Sequence, residues 1–370
     1  MPIRPFTPGD SLLVQRLSRH ATRFHIGRFL LQPSSPLQAA FSAYLPWAYK
    51  SGVTYVLRQE EHGLARAGFV QWRLHPSRAE ADLMVLSPAL DAPDGHPAIW
   101  HKLLAESALS LADQQFRRLY AELSDQPLLV NTLMQAGFHL YAKETVWRRA
   151  GEPLARPSAG PAGIRLQMRK DQWALEQLYA RITPAPVRQA EAFDGESDGK
   201  GEHFAPPILT NRHLHRHLSS YVLEGPNEPE GLDGCVQIIW GKVGVWLRLW
   251  VDSNDPDTAR VRLLLDYGLL RIAEAAQRGP VYIGVRDYQS GLDSILEEYG
   301  FAPFTDRARM MRPIWQRAKK AVESRLPSLE GVAEAIPGSL AMPQYTGLGT
   351  GDGVSPRSDP SPRSQPSTPG

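Results

Sequence analysis

The feature that most constrains this sequence is an internal repeat, because three short motifs occur twice in the same order. The matching pairs are Ile3-Arg4 with Asp10 and Ile164-Arg165 with Asp171, Gly68–Gln71 and Gly234–Gln237, and Gly137-Phe138 and Gly300-Phe301. Their offsets of 161, 166 and 163 residues differ by a few positions, as insertions in loops would produce. A period of roughly 160 residues is too long for a solenoid and matches the size of a domain. The chain is therefore expected to contain one module twice.

The repeat and the composition between its copies predict the domain boundaries. We expect a first domain at residues 1–150, called half one, and a second at residues 163–318, called half two. Residues 151–162 are rich in Pro, Gly and Ala and predict a short linker, so the two halves should pack together. Residues 194–207 predict a long mobile loop. Residues 319–370 are expected to form a helical extension and then a disordered tail rich in Ser and Pro.

The composition excludes several classes of protein. The 370 residues are 42% hydrophobic and 22% charged, with a net charge of +2, which is typical of a soluble globular protein. So small a charge favours neither nucleic acid nor an acidic membrane surface as a partner. The single cysteine, Cys235, cannot form an intramolecular disulfide, and the segment after Met1 has no hydrophobic signal region. We therefore expect a cytoplasmic protein that binds neither nucleic acid nor membrane.

The hydrophobic pattern predicts the same order of elements in each half. The clearest helices carry apolar residues at i, i+3, i+4 and i+7 over residues 100–111 and 261–272, and a proline precedes each one, Pro97 and Pro256. A strand hairpin lies before each of these helices, and a strand, a short helix and a last strand lie after it. Strands that alternate with helices in this way predict a mixed α/β fold.

This order resembles the fold of the GCN5-related N-acetyltransferase (GNAT) family over nearly all of residues 1–150 and 163–316. The motifs that carry the resemblance are the opening Ile-Arg before an acid that starts the first helix, the Gly-x-Val-Gln strand, and the closing helix into Gly-Phe. The resemblance implies two tandem acyl-coenzyme-A N-acyltransferase-like domains, each a mixed, mostly antiparallel sheet flanked by helices. It also implies acetyl-coenzyme A, or another acyl-coenzyme A, as co-substrate and an amine of a small molecule or peptide as acceptor.

The resemblance places the cofactor at the end of the fourth strand and the start of the third helix of a half, where a helix N-terminus favours anions. The residues it assigns to cofactor binding are Val85, Leu86, Gly95, His96, Ala98 and Gln126 in half one, and Val251 and Gln289 in half two. The sequence departs from the family at both phosphate loops: the usual Arg or Gln is missing before Gly95, and residues 254–259 contain no glycine. Half one keeps the more permissive loop, so the interpretation favours half one for cofactor binding.

The resemblance also suggests groups for proton transfer. Direct attack by an amine needs a base, and Glu122 or Asp82 is the candidate in half one. In the family, a tyrosine four residues before the Gly of Gly-Phe often gives a proton to the leaving thiolate. The corresponding residues here are Leu133 and Leu296, which cannot give a proton. Tyr288 is the candidate proton donor in half two.

No metal site is predicted. His213, His215 and His217 form a cluster, but arginines interleave them and no carboxylate or cysteine lies at ligand spacing. A solvated basic surface explains this cluster better than a metal. Cys235 lies between apolar residues on a predicted strand and is interpreted as a buried thiol.

Two functions from different classes remain open at this point. The first is an N-acyltransferase for acyl groups other than aminoacyl groups, which acts by direct transfer. The second is a catalytically degenerate tandem module that binds a ligand or a protein, and the missing loop and tyrosine motifs favour it. A peptidyltransferase-like use of the paired modules is a minor alternative. Unpaired backbone N–H groups near residues 95–99 would favour the first function over the second.

Overall fold

The computed structural model describes most of the chain up to residue 314. The described residues are 3–33, 35–44, 52–61, 64–150, 163–191, 218–225, 231–252, 258–275 and 279–314. Several predictions concern residues outside this set, namely the linker at 151–162, the loop at 194–207, the three histidines at 213–217, Pro256 and the tail.

The strands and helices of both halves follow the predicted order. The strands are β1 (Arg4–Pro5), β2 (Thr22–Arg23), β3 (Gly52–Glu61), β4 (Leu64–His75), β5 (Glu80–Ser87), β6 (Arg118–Ser124), β7 (His139–Arg149), β8 (Ile164–Leu166), β9 (Leu218–Glu224), β10 (Leu232–Trp240), β11 (Val245–Val251), β12 (Val281–Arg286) and β13 (Ala302–Pro313). The helices are α1 (Ser11–Leu17), α2 (Ile26–Leu31), α3 (Pro36–Tyr44), α4 (Pro97–Asp113), α5 (Pro127–Gln135), α6 (Gln172–Ile182), α7 (Ala185–Ala190), α8 (Ala259–Glu274) and α9 (Asp293–Glu298). Pro97 opens α4 as predicted, because a proline has no N–H to leave unpaired in the first turn.

Two details differ from the sequence prediction. The sequence predicts a helical stretch at about residues 212–220, but Leu218 to Ser220 form the start of strand β9. The prediction also omitted β2, α2 and α7, which are too short to show a hydrophobic period. Helices α2 and α7 make contacts between the halves, and the hydroxyl of Tyr120 donates to the carbonyl of Ala190 in α7 at 2.8 Å. Lys242 in the β10–β11 turn donates its N–H to the carbonyl of Leu31 in α2 at 2.8 Å.

One large sheet runs through both halves and confirms the mixed α/β class. Its thirteen strands follow the order β1-β3-β4-β5-β6-β13-β7-β12-β11-β10-β9-β8, and β2 pairs separately with β5. The pairs β5–β6 and β11–β12 are parallel and the other pairs are antiparallel. Helices α4 and α5 cover one face of the half-one strands, and α1 and α3 pack on the opposite face.

The two halves exchange their last strands. Strand β13 of half two lies between β6 and β7 of half one, and β7 pairs in turn with β12 of half two. The register places Arg309 opposite Glu122 and Glu144 opposite Arg286. Because each half is completed by a strand of the other, residues Met1–Ala318 form one compact unit. The domain boundaries at residues 150 and 163 stay a prediction.

Within the described residues, none of the helices has the length and the apolar character needed to cross a bilayer.

Candidate functional site

Each half contains a groove where two parallel strands separate. In half one, β5 and β6 pair only from Glu80 to Asp82 and from Arg118 to Tyr120, respectively. In half two, β11 and β12 pair only over residues 245–247 and 281–283. Beyond these short ladders, the facing edges carry backbone N–H and C=O groups that need other partners. We call these gaps the half-one groove and the half-two groove.

The protein's own chain fills the half-one groove. Strand β2 pairs with β5 so that Thr22 lies opposite Leu86 and Arg23 lies opposite Val85. The N–H of Phe24 donates to the carbonyl of Met84 at 3.0 Å, and the next N–H, that of His25, donates to the carbonyl of Glu122 at 2.8 Å. Residues 22–25 therefore bridge the separated strands. The β5 edge at Val85 and Leu86, which the sequence assigned to a cofactor, is used within the protein.

The loop before α4 is also closed on itself. The N–H of Gly95 donates to the carbonyl of Ala92 at 2.8 Å, and the N–H of Ala98 donates to Nδ1 of His96 at 3.1 Å. The N–H of Ile99 donates to the carbonyl of His96 at 3.0 Å. A Cβ atom at Gly95 would lie only 2.2 Å from the carbonyl oxygen of Ala89. Glycine at position 95 is thus required by the fold of the loop, and the N–H groups of Gly95, Ala98 and Ile99 already have partners.

The half-two groove has a different character. In the described part of the chain, no strand pairs with β11 beyond Leu247 on the side that faces β12. The open edge runs from Arg248 to Val251, the residue assigned to the cofactor in this half. Gln289 lies just beyond the end of β12, and its Oε1 accepts the N–H of Arg286, the last residue of that strand, at 3.1 Å. The matching Gln126 of half one is exposed at the start of α5.

The two candidate bases of half one are buried carboxylates whose pKa values are lowered by their neighbours. Glu122 is buried, and its carboxylate lies 3.4 Å from Nε of Arg307 and 3.6 Å from Nη2 of Arg309. Burial alone would raise the pKa of Glu122, but the two arginines outweigh burial and hold the pKa below its ordinary value. Glu122 is thus already paired with two arginines and lies beside a groove that β2 fills, an arrangement that leaves no place for an incoming amine next to it.

Asp82 has a similar environment. Its Oδ2 atom is hydrogen-bonded to Nε2 of His75 at 2.8 Å. Burial favours a raised pKa for Asp82, but the electrostatic interaction and hydrogen bond with His75 outweigh burial, and the pKa is lowered. Asp82 is therefore a structural anion in this arrangement.

A buried polar cluster lies beside the half-two groove. Arg286 donates from Nη2 to Oε1 of Glu191 at 2.5 Å and from Nη1 to the hydroxyl of Tyr288 at 2.8 Å. Glu191 also accepts a hydrogen bond from the hydroxyl of Tyr179. Burial would raise the pKa of Glu191, but Arg286 and Arg309 outweigh it, and the carboxyl stays ionised. The cluster thus fixes Arg286, which in turn fixes the Tyr288 hydroxyl.

Arg248 adds a second cation at this groove, as the first β11 residue beyond the paired segment. Its Nη1 lies 3.4 Å from Oε1 of Gln237 on the neighbouring strand. Burial lowers the pKa of Arg248 to about 10, and the cations of Arg286 and Arg309 act in the same direction.

The sequence identified Tyr288 in this region. It did not identify Glu191, which comes from the end of α7 and reaches the groove only through tertiary packing.

No group of three or more His, Cys, Asp or Glu side chains among the described residues could hold a metal ion. Cys235 is a buried free thiol, and burial raises its pKa to about 12. A thiol in this state is a poor nucleophile.

The chain matches no known family model and no curated protein sequence. Among solved structures, it is similar to a GCN5-related N-acetyltransferase from Sphaerobacter thermophilus, with 11% identity, 85% of this chain and 95% of the other covered, and a TM-score of 0.46. It is also similar to a tandem GNAT protein from the clavulanic acid biosynthesis pathway, with 12% identity, coverages of 85% and 99%, and a TM-score of 0.47. A third similar structure is a GCN5-related N-acetyltransferase from Kribbella flavida, with 16% identity, coverages of 66% of this chain and 86% of the other, and a TM-score of 0.41. All three carry the name of the family that the sequence resembles.

Proposed function

We propose that this protein is an acyl-coenzyme-A-dependent N-acyltransferase and that the acyl donor binds in the half-two groove. The observation that carries the proposal is the difference between the two grooves. Strand β2 occupies the half-one groove, whereas no described strand covers the β11 edge beyond Leu247. An extended ligand arm can pair with such an edge as an added strand would. The preference for half one that the sequence suggested is replaced by a preference for half two.

The residues beside the groove suit direct transfer from a thioester to an amine. The amine nitrogen attacks the acyl carbon, the carbon–sulfur bond breaks, and the leaving sulfur needs a proton. The hydroxyl of Tyr288 is the group we assign to supply it, since Arg286 at 2.8 Å would stabilise the negative charge left on the phenolate oxygen. No covalent enzyme intermediate is required, which agrees with the buried, protonated state of Cys235.

The acceptor in this proposal is a primary amine of a small molecule or a peptide. Glu191 is paired with Arg286 and acts by positioning that arginine. The amine would lose its proton to water, because Glu122 and Asp82 lie in half one beside the filled groove. The acyl group in the simplest case is acetyl.

The test is a transfer assay on the full chain, in which acetyl-coenzyme A is mixed with a panel of primary amines and thiol release is measured. We expect Tyr288→Phe to lower kcat by about 100-fold or more with little change in KM, because it removes only the proton donor. Tyr267→Phe is the matched control, since Tyr267 lies on α8 and packs against the ring of Tyr221 on β9. Equal kcat values for the Tyr288→Phe and Tyr267→Phe variants, or no release with any amine, would count against the proposal.

Half one supports a second candidate function, that of a binding module without transfer chemistry. Its groove is filled by residues 22–25, and the N–H groups of Gly95, Ala98 and Ile99 are paired within the loop. Loss of transfer together with retained binding of a small ligand would favour this candidate for the whole protein.

A further inference from the structure

Half one contains a pocket next to the filled half-one groove, and Met84 and Val85 of β5 border both. The pocket has a volume of about 120 Å³ and is bounded by α2, α3 and the strands β3, β4 and β5. Its polar side chains are Arg28, Ser35, Thr54, Gln71 and Arg73. Strands β6, β13 and β7 lie between β5 and the half-two groove, which places the pocket roughly 20 Å from that groove.

Two guanidinium groups without a carboxylate partner line this pocket. Arg73 is only 8% exposed, and Arg28 is half-buried. Burial lowers the pKa of Arg28, and the charge of Asp82 only partly offsets this. In the described part of the chain, neither arginine forms an ion pair or a side-chain hydrogen bond, and Asp82, which faces Arg73 across the β4–β5 ladder, is bonded to His75. Buried cations of this kind are stabilised by a bound anion.

Gln71 adds an acceptor to the same wall. Its Nε2 donates both protons, one to the carbonyl of Pro36 at 2.8 Å and one to Oγ1 of Thr54 at 3.1 Å. The Oε1 atom is therefore the remaining polar atom of this buried amide, and it can only accept. The pocket thus combines two cationic donors with a fixed acceptor. This combination complements a molecule that carries a carboxylate close to an N–H group.

We propose that half one binds a small free amino acid in this pocket, with the carboxylate against Arg28 and Arg73 and the ammonium at Oε1 of Gln71. The arginine fork matches a carboxylate with two parallel hydrogen bonds. A water molecule needs about 10–15 Å³ in the same measure, so the volume admits roughly eight or more water-sized groups, enough for an amino acid with a short side chain. This inference does not depend on acyl transfer, since it concerns the half whose groove is filled.

The test is isothermal titration of the full chain with single amino acids and no acyl donor present. We expect at least one short-chain amino acid to bind, and we expect propionate and ethylamine, which each carry only one of the two groups, to bind at least tenfold more weakly. Arg28→Gln should weaken binding at least tenfold. The matched control is Arg16→Gln, because Arg16 is exposed on α1 and does not line the pocket.

A second variant protects the test against a folding defect. Arg73→Lys keeps the charge at the buried position but removes the planar fork, so it should fold as judged by an unchanged melting curve and still bind at least tenfold more weakly. The proposal is overturned if no amino acid binds, if Arg28→Gln binds as tightly as the unmodified chain, or if propionate or inorganic phosphate binds as tightly as the best amino acid. The last result would indicate a general oxyanion site without amine recognition.

Discussion

Replacement of Arg309 by methionine should destabilise the protein strongly, because this side chain joins the two halves electrostatically. Arg309 lies on β13, the exchanged strand, and is only 5% exposed. Its Nη2 is 2.5 Å from Oε2 of Glu144 on β7 and 3.6 Å from Oε2 of Glu122 on β6. Arg309→Met removes the cation but leaves both buried carboxylates in place.

The expected loss of unfolding free energy is about 3–5 kcal/mol, which is the usual cost of leaving a buried partner without its counter-charge. The compact unit spans Met1–Ala318. With an unfolding entropy of about 2.1 cal/mol/K per residue, 1 kcal/mol corresponds to roughly 1.5 °C for a unit of this size. The melting temperature should therefore fall by about 4–8 °C in calorimetry at neutral pH.

Two further variants test the reasoning. Arg309→Met combined with Glu144→Gln should recover part of the loss, since the second change neutralises one of the stranded carboxylates. Arg312→Met is the matched control, because Arg312 lies on the same strand and forms no ion pair in the described part of the chain. If Arg309→Met lowers the melting temperature no more than Arg312→Met does, the account of the exchanged strand as an electrostatic bridge is wrong.

Two more predictions concern buried titratable groups. Burial lowers the pKa of His25, whose ring nitrogens have no hydrogen-bond partner, whereas unfolded histidine takes up a proton near pH 6.5. Stability measured by urea unfolding should therefore fall as the pH drops below about 6.5, by up to about 1.4 kcal/mol per unit, and His25→Asn should flatten this dependence. Burial raises the pKa of Cys235 to about 12, so a thiol reagent at pH 8 should label it only after denaturation, and rapid labelling of the folded chain would contradict its placement.

The sequence was sufficient to predict the elements that carry a regular hydrophobic pattern. The α4 residues Trp100, Leu103, Leu104 and Leu111 are buried on one face as the helical period required. The hairpin of β10 and β11 around the turn at residues 241–244 was predictable because turn residues and alternating strands are local signals. These features depend on neighbours within about ten residues of one another.

The strand exchange was not predictable from the same signals. The last strands β7 and β13 could pair with each other or each within its own half. Both arrangements would bury the same alternating residues, so the hydrophobic pattern does not distinguish them. The insertion of β2 into the half-one groove depends on two residues, Thr22 and Arg23, that show no strand period. Pairing with β5 decides their conformation, and that pairing is not local in sequence.

The same distinction between local and tertiary signals applies to the candidate site. Gln289 was identified from its distance to the Gly-Phe motif, and Tyr288 from its place near the end of a predicted strand; both signals are local. The ionisation of Glu122 depends on Arg307 and Arg309, which come from the exchanged strand. Glu191 comes from the end of α7. The residue types were visible in the sequence, whereas their charges and accessibility depended on tertiary contacts.

The most direct test of the central claim is amide hydrogen exchange of the full chain with and without acetyl-coenzyme A. The account predicts slower exchange at residues 248–252 and 259–262, where the donor would pair with the β11 edge and contact the start of α8. Exchange at residues 83–87 and 95–99 should not change, because β2 and the closed loop already hold these amides. Protection at residues 83–87 and 95–99, or no protection in either half, would contradict the assignment of the donor site to half two.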